Sequence, residues 1–599
     1  MRNYLSLLAG SVFMAQVFAG DDDWLSPVYK PIFQNKLPIP PEKSPKYTYT
    51  NQTTGAQIDY YEFEIKEFES QIYPNLKPAK LVGYDGVSPG PTIRVKRGRE
   101  SVVRFVNKAK LATSVHLHGS YSRAPFDGWA EDLTEPGSYK DYYYPNKQSA
   151  RTLWYHDHAV SQTAVNAYFG QAGFYILEDG AENALGLPKG SYDLALALAS
   201  KQYNSDGTLF SPAAERDSLW GDVIHVNGQP WPYHSVEPRK YRLRFLDTSV
   251  SRAFKLTFET DDNKKIPFHV IASDAGLLPK PVQSDNLEIS MAERWELVVD
   301  FSAYAGKNIT VKNARDVQAD EDYNSTNKVM RFVVGNTVSN TENNNLPSTL
   351  RNVPLPPNKS GVDRQFKLER SNGEWQINDV TFADVNNRIL AKPPRGAVEV
   401  WEFSTGGGWS HPIHVHLVDF QVIYRKGSRD GVLPYEKEAL KDVVLLGKSE
   451  TVRVIARFAP WDGVYMFHCH NLIHEDHDMM AAFNVTSLGD WGYPETTQFI
   501  DPMDQRFRSR PANPADFTQD AILARINELY VLDAYKDPDK VEAALESYWA
   551  NGGKASSTTL ATSTRTSSSS GSTTARATTS STRVSSTSTA RASSTSTRR

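Results

Sequence analysis

Four histidine pairs, each with one residue between the two histidines, are the most distinctive chemical feature of this sequence. They are His116-Leu-His118, His156-Asp-His158, His414-Val-His416 and His468-Cys-His470. Residues i and i+2 of a β-strand lie on the same face, roughly 6.6 Å apart, which suits two neighbouring metal ions better than chelation of one. A single pair is more often a polar strand edge than a ligand pair. Four pairs, which use eight of the fourteen histidines, predict a metal centre.

The last pair encloses Cys469, the only cysteine of the chain. Because successive side chains of a strand point to opposite faces, Cys469 is expected to bind a different metal ion from its two neighbours. His474 and Met479 follow five and ten residues later. One cysteine, two histidines and a thioether are the ligands of a blue-copper electron-transfer site, and His411 is the candidate for the second histidine. Zinc also takes cysteine and histidine ligands, but the thioether and the many paired histidines favour copper.

The pairs also form a weak internal repeat. The second pair follows the first by forty residues, and the fourth follows the third by fifty-four. Both later pairs end an aromatic run, at 153–155 and at 465–467, whereas the middle of the chain has no such pair. Two domains of similar design, each with two pairs, predict a metal site between them.

The elements that must position these pairs read as β-strands. Short runs of alternating apolar and polar residues, such as Thr451 to Phe458, are separated by Gly, Pro and Asn. This pattern predicts an all-β body of β-sandwiches or barrels. Polar connectors at 179–190 and 336–361 separate the predicted domains. Their expected limits are 45–180, 190–340 and 362–500.

A helical segment is predicted at 513–552, after the β-rich body. The first helix starts near Asn513-Pro514, and the second starts at Asp537-Pro538. The apolar face of the first helix is expected to contain Ile522, Leu523, Ile526 and Leu529. From 553 to 599, Ser, Thr and Arg dominate, so this tail has too little apolar area to fold and is expected to be disordered. Either an O-glycosylated stalk or an unmodified tail fits this composition.

Both ends of the chain indicate where the protein is located relative to the cell. Residues 1–19 read as a signal peptide, with Arg2 before an apolar run and small residues at the expected cleavage site. Five sequons fit a secreted glycoprotein, and they begin at Asn51, Asn308, Asn324, Asn358 and Asn484. No later apolar run reaches about 18 residues. We therefore expect a secreted, extracellular protein without a membrane span, with the tail as a candidate link to the cell wall.

The charge distribution argues against nucleic acid as a partner. Seven basic and no acidic residues lie between 552 and 599, so the formal charge of −4 for the whole chain becomes −11 for the rest. Phosphate binding requires a basic face, which an acidic body does not supply. We expect a monomer that acts on small molecules.

The four motifs, in this order, resemble those of the multicopper oxidases over roughly residues 45–500. The segments around His116, His411 and Cys469 are most similar to the fungal bilirubin oxidases of that family. Typical laccases have Trp at the position of Leu117 and lack the axial methionine, so Met479 points away from them. The resemblance implies three cupredoxin-like domains, each a Greek-key β-sandwich or barrel, and four copper ions.

The resemblance also implies which copper each ligand holds. The type 1 copper would be held by His411, Cys469, His474 and Met479. The type 2 copper would be held by His116 and His414, and the type 3 pair by His118, His156, His158, His416, His468 and His470. Among the remaining histidines, His225, His234 and His269 are expected to be structural, and His477 to lie beside the type 1 ligands or at the surface.

Three further residues match functional positions of the family. Asp127 matches its proton-delivering aspartate, and Glu475 matches an acid near the oxygen channel. For each, the alternative is a hydrogen bond that only orients a ligand histidine. Trp409 matches a tryptophan that contacts the type 1 histidine near the substrate, and simple aromatic packing is its alternative. The substrate is expected to give its electron to an exposed edge of His474 or His411.

The sequence therefore predicts an oxidase that couples one-electron oxidation of an organic substrate to reduction of dioxygen to water. The substrate would be a bilirubin-like tetrapyrrole or a phenolic or pigment compound. Laccase or ferroxidase activity is the alternative. Ferroxidase activity stays open because Glu475, Asp476 and Asp478 lie close together in sequence and offer an acidic iron site. A non-catalytic copper-binding protein would need neither the complete histidine set nor the placed acids.

Overall fold

The computed structural model describes residues 24–52, 54–315, 317, 323–429, 431–491, 499–530 and 538–554. The predicted signal peptide and nearly all of the predicted tail lie outside these ranges. Strands dominate the described residues, and they form three pairs of sheets in chain order. The all-β fold of three sandwiches is therefore confirmed.

The first sandwich contains the strands that carry the first two histidine pairs. Its strands are β1 Tyr47–Thr50, β2 Gln57–Ser70, β3 Ala79–Tyr84, β4 Gly90–Lys96, β5 Glu100–Asn107, β6 Val115–His118, β7 Ser138–Tyr144, β8 Arg151–Asp157 and β9 Ala172–Glu178. One sheet has the order β1-β2-β5-β7, with β3 also on β2, and the other has the order β4-β9-β8-β6. Along β2, the buried Tyr61, Phe63 and Ile65 alternate with more accessible charged residues, which is the pattern of a strand with one face on the core. The short helix α1 (Thr163–Phe169) lies between β8 and β9.

The middle sandwich has no histidine pair. The short helix α2 (Gly180–Asn183) precedes it. Its strands are β10 Asp193–Lys201, β11 Val223–Val226, β12 Gln229–Pro230, β13 Tyr233–Val236, β14 Lys240–Asp247, β15 Phe254–Thr260, β16 Phe268–Ser273, β17 Gly276–Ser284, β18 Leu287–Ile289, β19 Arg294–Asp300, β20 Asn308–Asn313 and β21 Lys328–Val334. The sheet orders are β12-β11-β10-β14-β19-β16-β17 and β13-β21-β20-β15-β18.

The third sandwich carries the other two histidine pairs. Its strands are β22 Arg364–Ser371, β23 Glu374–Ile377, β24 Ile389–Ala391, β25 Val398–Thr405, β26 His411–Val415, β27 Phe420–Lys426, β28 Val443–Leu446, β29 Thr451–Arg457, β30 Gly463–Cys469 and β31 Met480–Val485. The sheet orders are β23-β22-β25-β29-β27 and β24-β31-β30-β26-β28. Helix α3 (Leu472–Asp476) follows β30 directly. In β29, Val452, Val454 and Ala456 are buried, as the alternation predicted.

The chain then returns to the first sandwich. Strand β32 (Arg510–Pro511) pairs with β7, and helices α4 (Gln519–Tyr530) and α5 (Pro538–Ala550) follow. In α4 the predicted face is correct for Ile522, Ile526 and Leu529, but wrong for Leu523, which is 38% exposed because it points away from the sandwich. None of the helices in the described ranges combines the length and apolar character needed to cross a membrane.

The apolar core is continuous between the first and third sandwiches. Phe63 and Phe105 of the first and Trp401 and Phe467 of the third belong to one cluster of buried side chains, which also includes Cys469. The middle sandwich has its own large cluster. The two sandwiches that carry histidine pairs are thus packed as one body, and this packing positions their inner strands against each other.

Candidate metal centre

Neighbouring strands bring the histidine pairs together within each sandwich. In the first, β6 pairs with β8 so that His116 lies opposite His156. In the third, β26 pairs with β30 so that His414 lies opposite His468. In each sandwich the second histidine of the later pair follows the end of its strand. Antiparallel pairing therefore turns two distant sequence motifs into one patch of imidazoles in each sandwich.

Eight imidazoles from the two patches meet in one buried site. Three close groups have their nitrogens within 4.8 Å of one another. The groups are His116, His118 and His414; His118, His156 and His470; and His158, His416 and His468. Contacts cross the interface between the sandwiches, because Nε2 of His158 lies 3.1 Å from Nε2 of His468. Likewise, Nε2 of His414 lies 3.4 Å from Nε2 of His116.

Hydrogen bonds leave one nitrogen of several rings free for a metal ion. Nδ1 of His156 bonds the carbonyl of Asp157 at 2.8 Å, and Nδ1 of His416 bonds the Asp127 carboxylate at 2.8 Å. Each bond fixes the ring so that Nε2 faces the other histidines. Neither ring nitrogen of the buried His470 has a hydrogen-bond partner. A buried imidazole without partners is costly in an apolar core, so this donor set fits bound metal ions.

Burial also favours the neutral form of nine imidazoles in the two groups of ligand candidates. It lowers the pKa of nine histidines, namely His116, His118, His156, His158, His411, His414, His416, His470 and His474. A metal ion binds the neutral ring, and so the lowered pKa values favour metal binding over protonation.

A separate group forms around Cys469 on the other face of β30. Its Sγ lies 3.4 Å from Nδ1 of His411 and 3.6 Å from Nδ1 of His474, and the two Nδ1 atoms are 3.2 Å apart. Burial raises the pKa of the Cys469 thiol, so a thiolate at this position requires a cation beside it. Met479 is fully buried in the same cluster, and its carbonyl accepts the Cys469 N–H at 3.1 Å. Sulfur and two imidazole nitrogens at this spacing fit copper.

The prediction that His474 or His411 exposes an imidazole edge to the substrate is wrong. His474 is 0% and His411 1% exposed. Trp375 covers one face of His474, and the half-buried Trp409 lies edge-on to it with ring centroids 5.9 Å apart. A cavity of about 10 Å³ reaches the group, and its lining is Ser218, Trp220, Trp409, Ser410, Lys448, Asn471 and His474. Indole and cavity-lining groups therefore separate the imidazoles from solvent.

Comparison with known proteins decides the family. Residues 68–182 and 355–488 match family models described as multicopper oxidase. A bilirubin oxidase of Albifimbria verrucaria is 55% identical over 534 residues, which are 86% of this chain and 93% of that protein. The chain belongs to the multicopper oxidase family.

More distant multicopper oxidases share the same body. A laccase of Bacillus subtilis is 32% identical over 517 residues, which are 76% of this chain and 98% of that protein. The crystal structure of a multicopper oxidase from Aquifex aeolicus, McoA, has a TM-score of 0.67 at 26% identity, over 76% of this chain and 99% of that one. Like the family to which it belongs, the present chain is an enzyme that oxidises an organic substrate and reduces dioxygen. It uses four copper ions, of which one is type 1, one type 2 and two type 3.

The two predicted acids lie against the histidine groups of this oxidase. Oδ2 of Asp127 is 2.8 Å from Nδ1 of His416, and its Oδ1 has no hydrogen-bond partner. Desolvation raises the pKa of Asp127 well above its usual range. The carboxylate of Glu475 reaches both Nδ1 of His158, at 3.5 Å, and Nδ1 of His468, at 3.1 Å. Burial raises the pKa of Glu475, but the two imidazoles outweigh it and lower the pKa to about 2.

Glu475, Asp476 and Asp478 do not form the acidic iron site that their closeness in sequence suggested. Glu475 faces the histidine groups instead. The Asp476 carboxylate accepts the N–H groups of Thr163 and Ala164, both at 2.9 Å, and so caps α1. Asp478 bonds the N–H of Ala383 at 3.2 Å. The three carboxylates therefore point to three different places and do not converge.

The remaining histidines take no part in the groups above. His225 is buried, with Nε2 3.0 Å from the Tyr203 hydroxyl and Nδ1 2.9 Å from the carbonyl of Gly228. His234 and His269 lie half-buried in the middle sandwich. His477 contacts the Arg216 guanidinium and bonds the carbonyl of Ile473 at 2.7 Å.

Sequence reasoning missed three residues that touch the ligand candidates. Trp375 stacks on His474, Trp154 stacks on His156 with ring centroids 4.0 Å apart, and Asp442 contacts His118. Trp154 lies in the aromatic run before the second pair, so its position was visible. No local motif marks Trp375 or Asp442, because each approaches its histidine from a different strand or sandwich.

Proposed function

We propose that this oxidase takes single electrons from a bilirubin-like tetrapyrrole at the Cys469 group and delivers them to dioxygen at the histidine groups. The observation that carries the proposal is the position of Cys469 in the chain. His468, before it, belongs to the group with His158 and His416, and His470, after it, belongs to the group with His118 and His156. Two short runs of covalent bonds thus join one sulfur to both groups.

The ligand assignment follows the same grouping. His411, Cys469, His474 and Met479 hold the type 1 copper, and His116 and His414 hold the type 2 copper. The two groups of three, His158 with His416 and His468, and His118 with His156 and His470, hold one type 3 copper each. When bound, the coppers supply one-electron transfer and the place where dioxygen is reduced.

The acids and the tryptophan act beside these ligands. Asp127 holds His416 by one oxygen. Its second oxygen lies 3.6 Å from Nδ1 of His116 and has no hydrogen-bond partner, which suits delivery of a proton. Glu475 spans His158 and His468 and so orients the two rings, and its carboxylate can also take up a proton and pass it on. Trp409 forms part of the lining between His474 and the substrate.

The substrate assignment draws on the lining of the small cavity at His474. The cavity itself, about 10 Å³, is too small to enclose a substrate. Among its lining residues, Trp220 and Trp409 offer flat apolar surfaces and Lys448 offers a positive charge, which suit contact with a conjugated molecule that has carboxylates. The 55% identical relative is named a bilirubin oxidase. A phenolic or pigment compound, as in a laccase, is the second candidate, because outer-sphere electron transfer needs only proximity and a suitable potential. Ferrous iron is not favoured, because the nearby carboxylates point elsewhere.

The extracellular location of the protein and the limits of its domains are also proposed. The signal sequence at 1–19 and the sequons support secretion as an extracellular glycoprotein, with the tail at 553–599 as a link to the cell wall. We assign cupredoxin-like domains to 45–180, 190–340 and 362–500, followed by a helical segment at 513–552. The protein acts as a monomer.

Dioxygen uptake with three donors tests the proposed function. Copper-loaded protein is supplied in turn with bilirubin, a simple phenol and ferrous iron, and initial rates are compared at equal concentration. Bilirubin is expected to be oxidised fastest and ferrous iron slowest. A faster rate with the phenol would assign the laccase role, and no uptake with any donor would refute the oxidase.

A further inference from the structure

One residue outside the predicted ligand set contacts two histidines from different sandwiches. Oδ1 of Asp442 lies 3.0 Å from Nε2 of His118, and the main-chain carbonyl of Asp442 lies 2.8 Å from Nδ1 of His414. The two imidazoles stack with ring centroids 3.6 Å apart and 17° between their planes. Asp442 therefore fixes a ring of the first sandwich and a ring of the third at the same time.

The middle sandwich holds Asp442 in this position. Arg294, the first residue of β19, donates from Nη1 to Oδ1 at 2.6 Å and from Nη2 to Oδ2 at 2.5 Å. Asp274, also in the middle sandwich, accepts the main-chain N–H of Asp442 at 3.2 Å. The side chains of Arg294 and Asp442 are 0% and 1% exposed, so the pair is shielded from water. A bidentate buried pair of this kind has one geometry and little freedom.

The contact with Asp442 determines which nitrogen His118 offers to the centre. A carboxylate oxygen only accepts, so Nε2 of His118 carries the hydrogen and Nδ1 has the lone pair. That Nδ1 lies 3.4 Å from Nε2 of His156. His116, His156 and His414 are oriented the opposite way, with Nδ1 on a main-chain carbonyl and Nε2 toward the centre. His118 is thus reversed, and its reversal depends on an acceptor at Nε2.

The residue after His118 fits the same arrangement. Gly119 has φ +85°, and a Cβ there would lie 2.6 Å from Nη2 of Arg294 and 2.7 Å from Oδ2 of Asp442. Both the backbone conformation and the close approach of the pair require glycine. The end of β6 is therefore shaped to let the Arg294–Asp442 pair reach His118.

We propose that Asp442 and Arg294 are positioning residues that set the ring nitrogen of His118 for one type 3 copper, and that the middle sandwich, which has no histidine pair, contributes to the copper centre through them. This inference rests on the proposed copper assignment. It gives the middle sandwich a role in the chemistry beyond packing.

Asp442→Leu tests the inference because it removes the acceptor at Nε2 of His118. Asp442→Asn would not, since Oδ1 contacts both Nε2 of His118 and Nη1 of Arg294, and one amide oxygen at that position serves both. Without an acceptor, Nε2 of His118 is no longer held as the N–H nitrogen, and the lone pair of Nδ1 is no longer fixed toward the centre. We expect about 10- to 100-fold weaker binding of one copper and a loss of at least one copper per chain by elemental analysis. The visible copper–thiolate absorption per chain should stay unchanged, since the Cys469 group is not touched.

Two double variants distinguish the effect of the hydrogen-bond acceptor at His118 from the effect of the Arg294–Asp442 ion pair. Asp442→Asn with Arg294→Met removes the ion pair but offers an amide oxygen to His118, and we expect it to keep the copper that Asp442→Leu alone loses. Asp442→Leu with Arg294→Met also removes the ion pair but offers no acceptor, and we expect it to lose the copper. These two variants differ only in the acceptor, so their comparison stands even where the single variant does not fold. Equal copper content in both would overturn the inference.

Among the described residues, a buried pair with no hydrogen bond or ion pair to a histidine provides the control. Arg104 and Asp141 form the same bidentate contact, at 2.7 and 3.0 Å, and both side chains are 1% exposed. Asp141→Leu is expected to lower the melting temperature and to leave the copper content unchanged. An equal loss of copper in Asp141→Leu would reduce the effect to general destabilisation and overturn the inference. Wild-type protein that binds fewer than four coppers would instead count against the proposed copper assignment itself.

Discussion

Trp375 stacks on His474 with 3.7 Å between the ring centroids and 26° between the planes. The indole is fully buried, and its Nε1 donates to the carbonyl of Arg216 at 2.9 Å. The guanidinium of Arg370 lies over the indole, 5.1 Å from a ring centroid. The imidazole is thus held between its ligand position and a fixed aromatic wall, which limits both its rotation and its contact with water.

Replacement of Trp375 should change the Cys469 group and the stability together. Trp375→Ala removes the wall, and we expect a loss of about 3–5 kcal/mol in the free energy of unfolding, as for other large-to-small changes of buried aromatics. We also expect a shifted copper–thiolate absorption, because the His474 ring is no longer fixed. Trp375→Phe keeps an aromatic face and serves as the matched control. Denaturant unfolding and visible spectra of both variants check this, and an unshifted spectrum in Trp375→Ala would contradict it.

The ligand candidates were predictable from sequence because their signal is local. A histidine pair at i and i+2 and a cysteine between two histidines follow directly from the two-residue period of a strand. The division of six histidines into two groups of three was not predictable, because it depends on the register of β6 with β8 and of β26 with β30. The burial of His474 was also missed, because Trp375 reaches it from β23, about a hundred residues earlier in the chain.

The carboxylate of Asp127 gives a separate prediction about dioxygen reduction. Asp127→Asn keeps an oxygen that can accept from Nδ1 of His416, but it cannot release a proton. We expect dioxygen reduction to slow by about 10²-fold, while reduction of the Cys469 group by the substrate keeps its rate. Stopped-flow absorption measures the two half-reactions separately. Unchanged turnover would show that Asp127 only orients His416.

Trp409 should influence the choice of substrate more than the binding of copper. It lines the small cavity at His474 but is not among the groups that converge on a metal position. Trp409→Ala is expected to change the ratio of rates for bilirubin and a phenol several-fold, with copper per chain unchanged. Trp409→Phe, which keeps an aromatic surface, is the control. Loss of copper from the alanine variant would give Trp409 a structural role instead.

The fold shows a similar division between local and distant signals. Alternating runs predicted strands such as β29, because the two-residue period is visible within a few residues. The pairing of β32 with β7 was not predictable, because two residues carry no period and the partner lies more than three hundred residues away. The exposure of Leu523 was not predictable either, because the apolar pattern of a helix does not indicate which of its residues contact the sandwich.

The sequon at Asn51 should remain unmodified even where exposed sequons carry glycans. Its Nδ2, the atom that a glycan would occupy, donates to Glu100 at 3.1 Å and to the Tyr143 hydroxyl at 3.3 Å, and the residue is 3% exposed. Asn324 and Asn358 are exposed and are expected to carry glycans. Peptide mass spectrometry before and after deglycosylation checks the occupancy.

Substitution of the same asparagines supplies an independent measurement. Asn51→Gln disturbs two buried hydrogen bonds and should cost about 1–3 kcal/mol of unfolding free energy. Asn358→Gln, in an exposed position, should leave the unfolding free energy unchanged. A glycan found on Asn51, together with a stable Asn51→Gln variant, would contradict the burial argument.

Cys469 connects the two parts of the site, and its replacement should disconnect them without unfolding the protein. In Cys469→Ser the visible copper–thiolate absorption should vanish and copper per chain should fall by one. A buried hydroxyl in place of the thiol costs about 1–3 kcal/mol, which leaves the fold intact. Dioxygen uptake with organic donors should be lost, because no sulfur joins the donor side to His468 and His470.

A chemical reductant distinguishes a lost connection from a damaged dioxygen site. Cys469→Ser protein reduced by dithionite, then freed of excess reductant, should still react with dioxygen, since the histidine groups are unchanged. Its three remaining coppers hold one electron fewer than the four that reduction to two waters needs, so the reaction should stop short of water. Wild-type protein treated in the same way is the control. If the reduced variant does not react with dioxygen, Cys469 is needed to assemble the histidine groups, and the assignment of two separate roles along β30 fails.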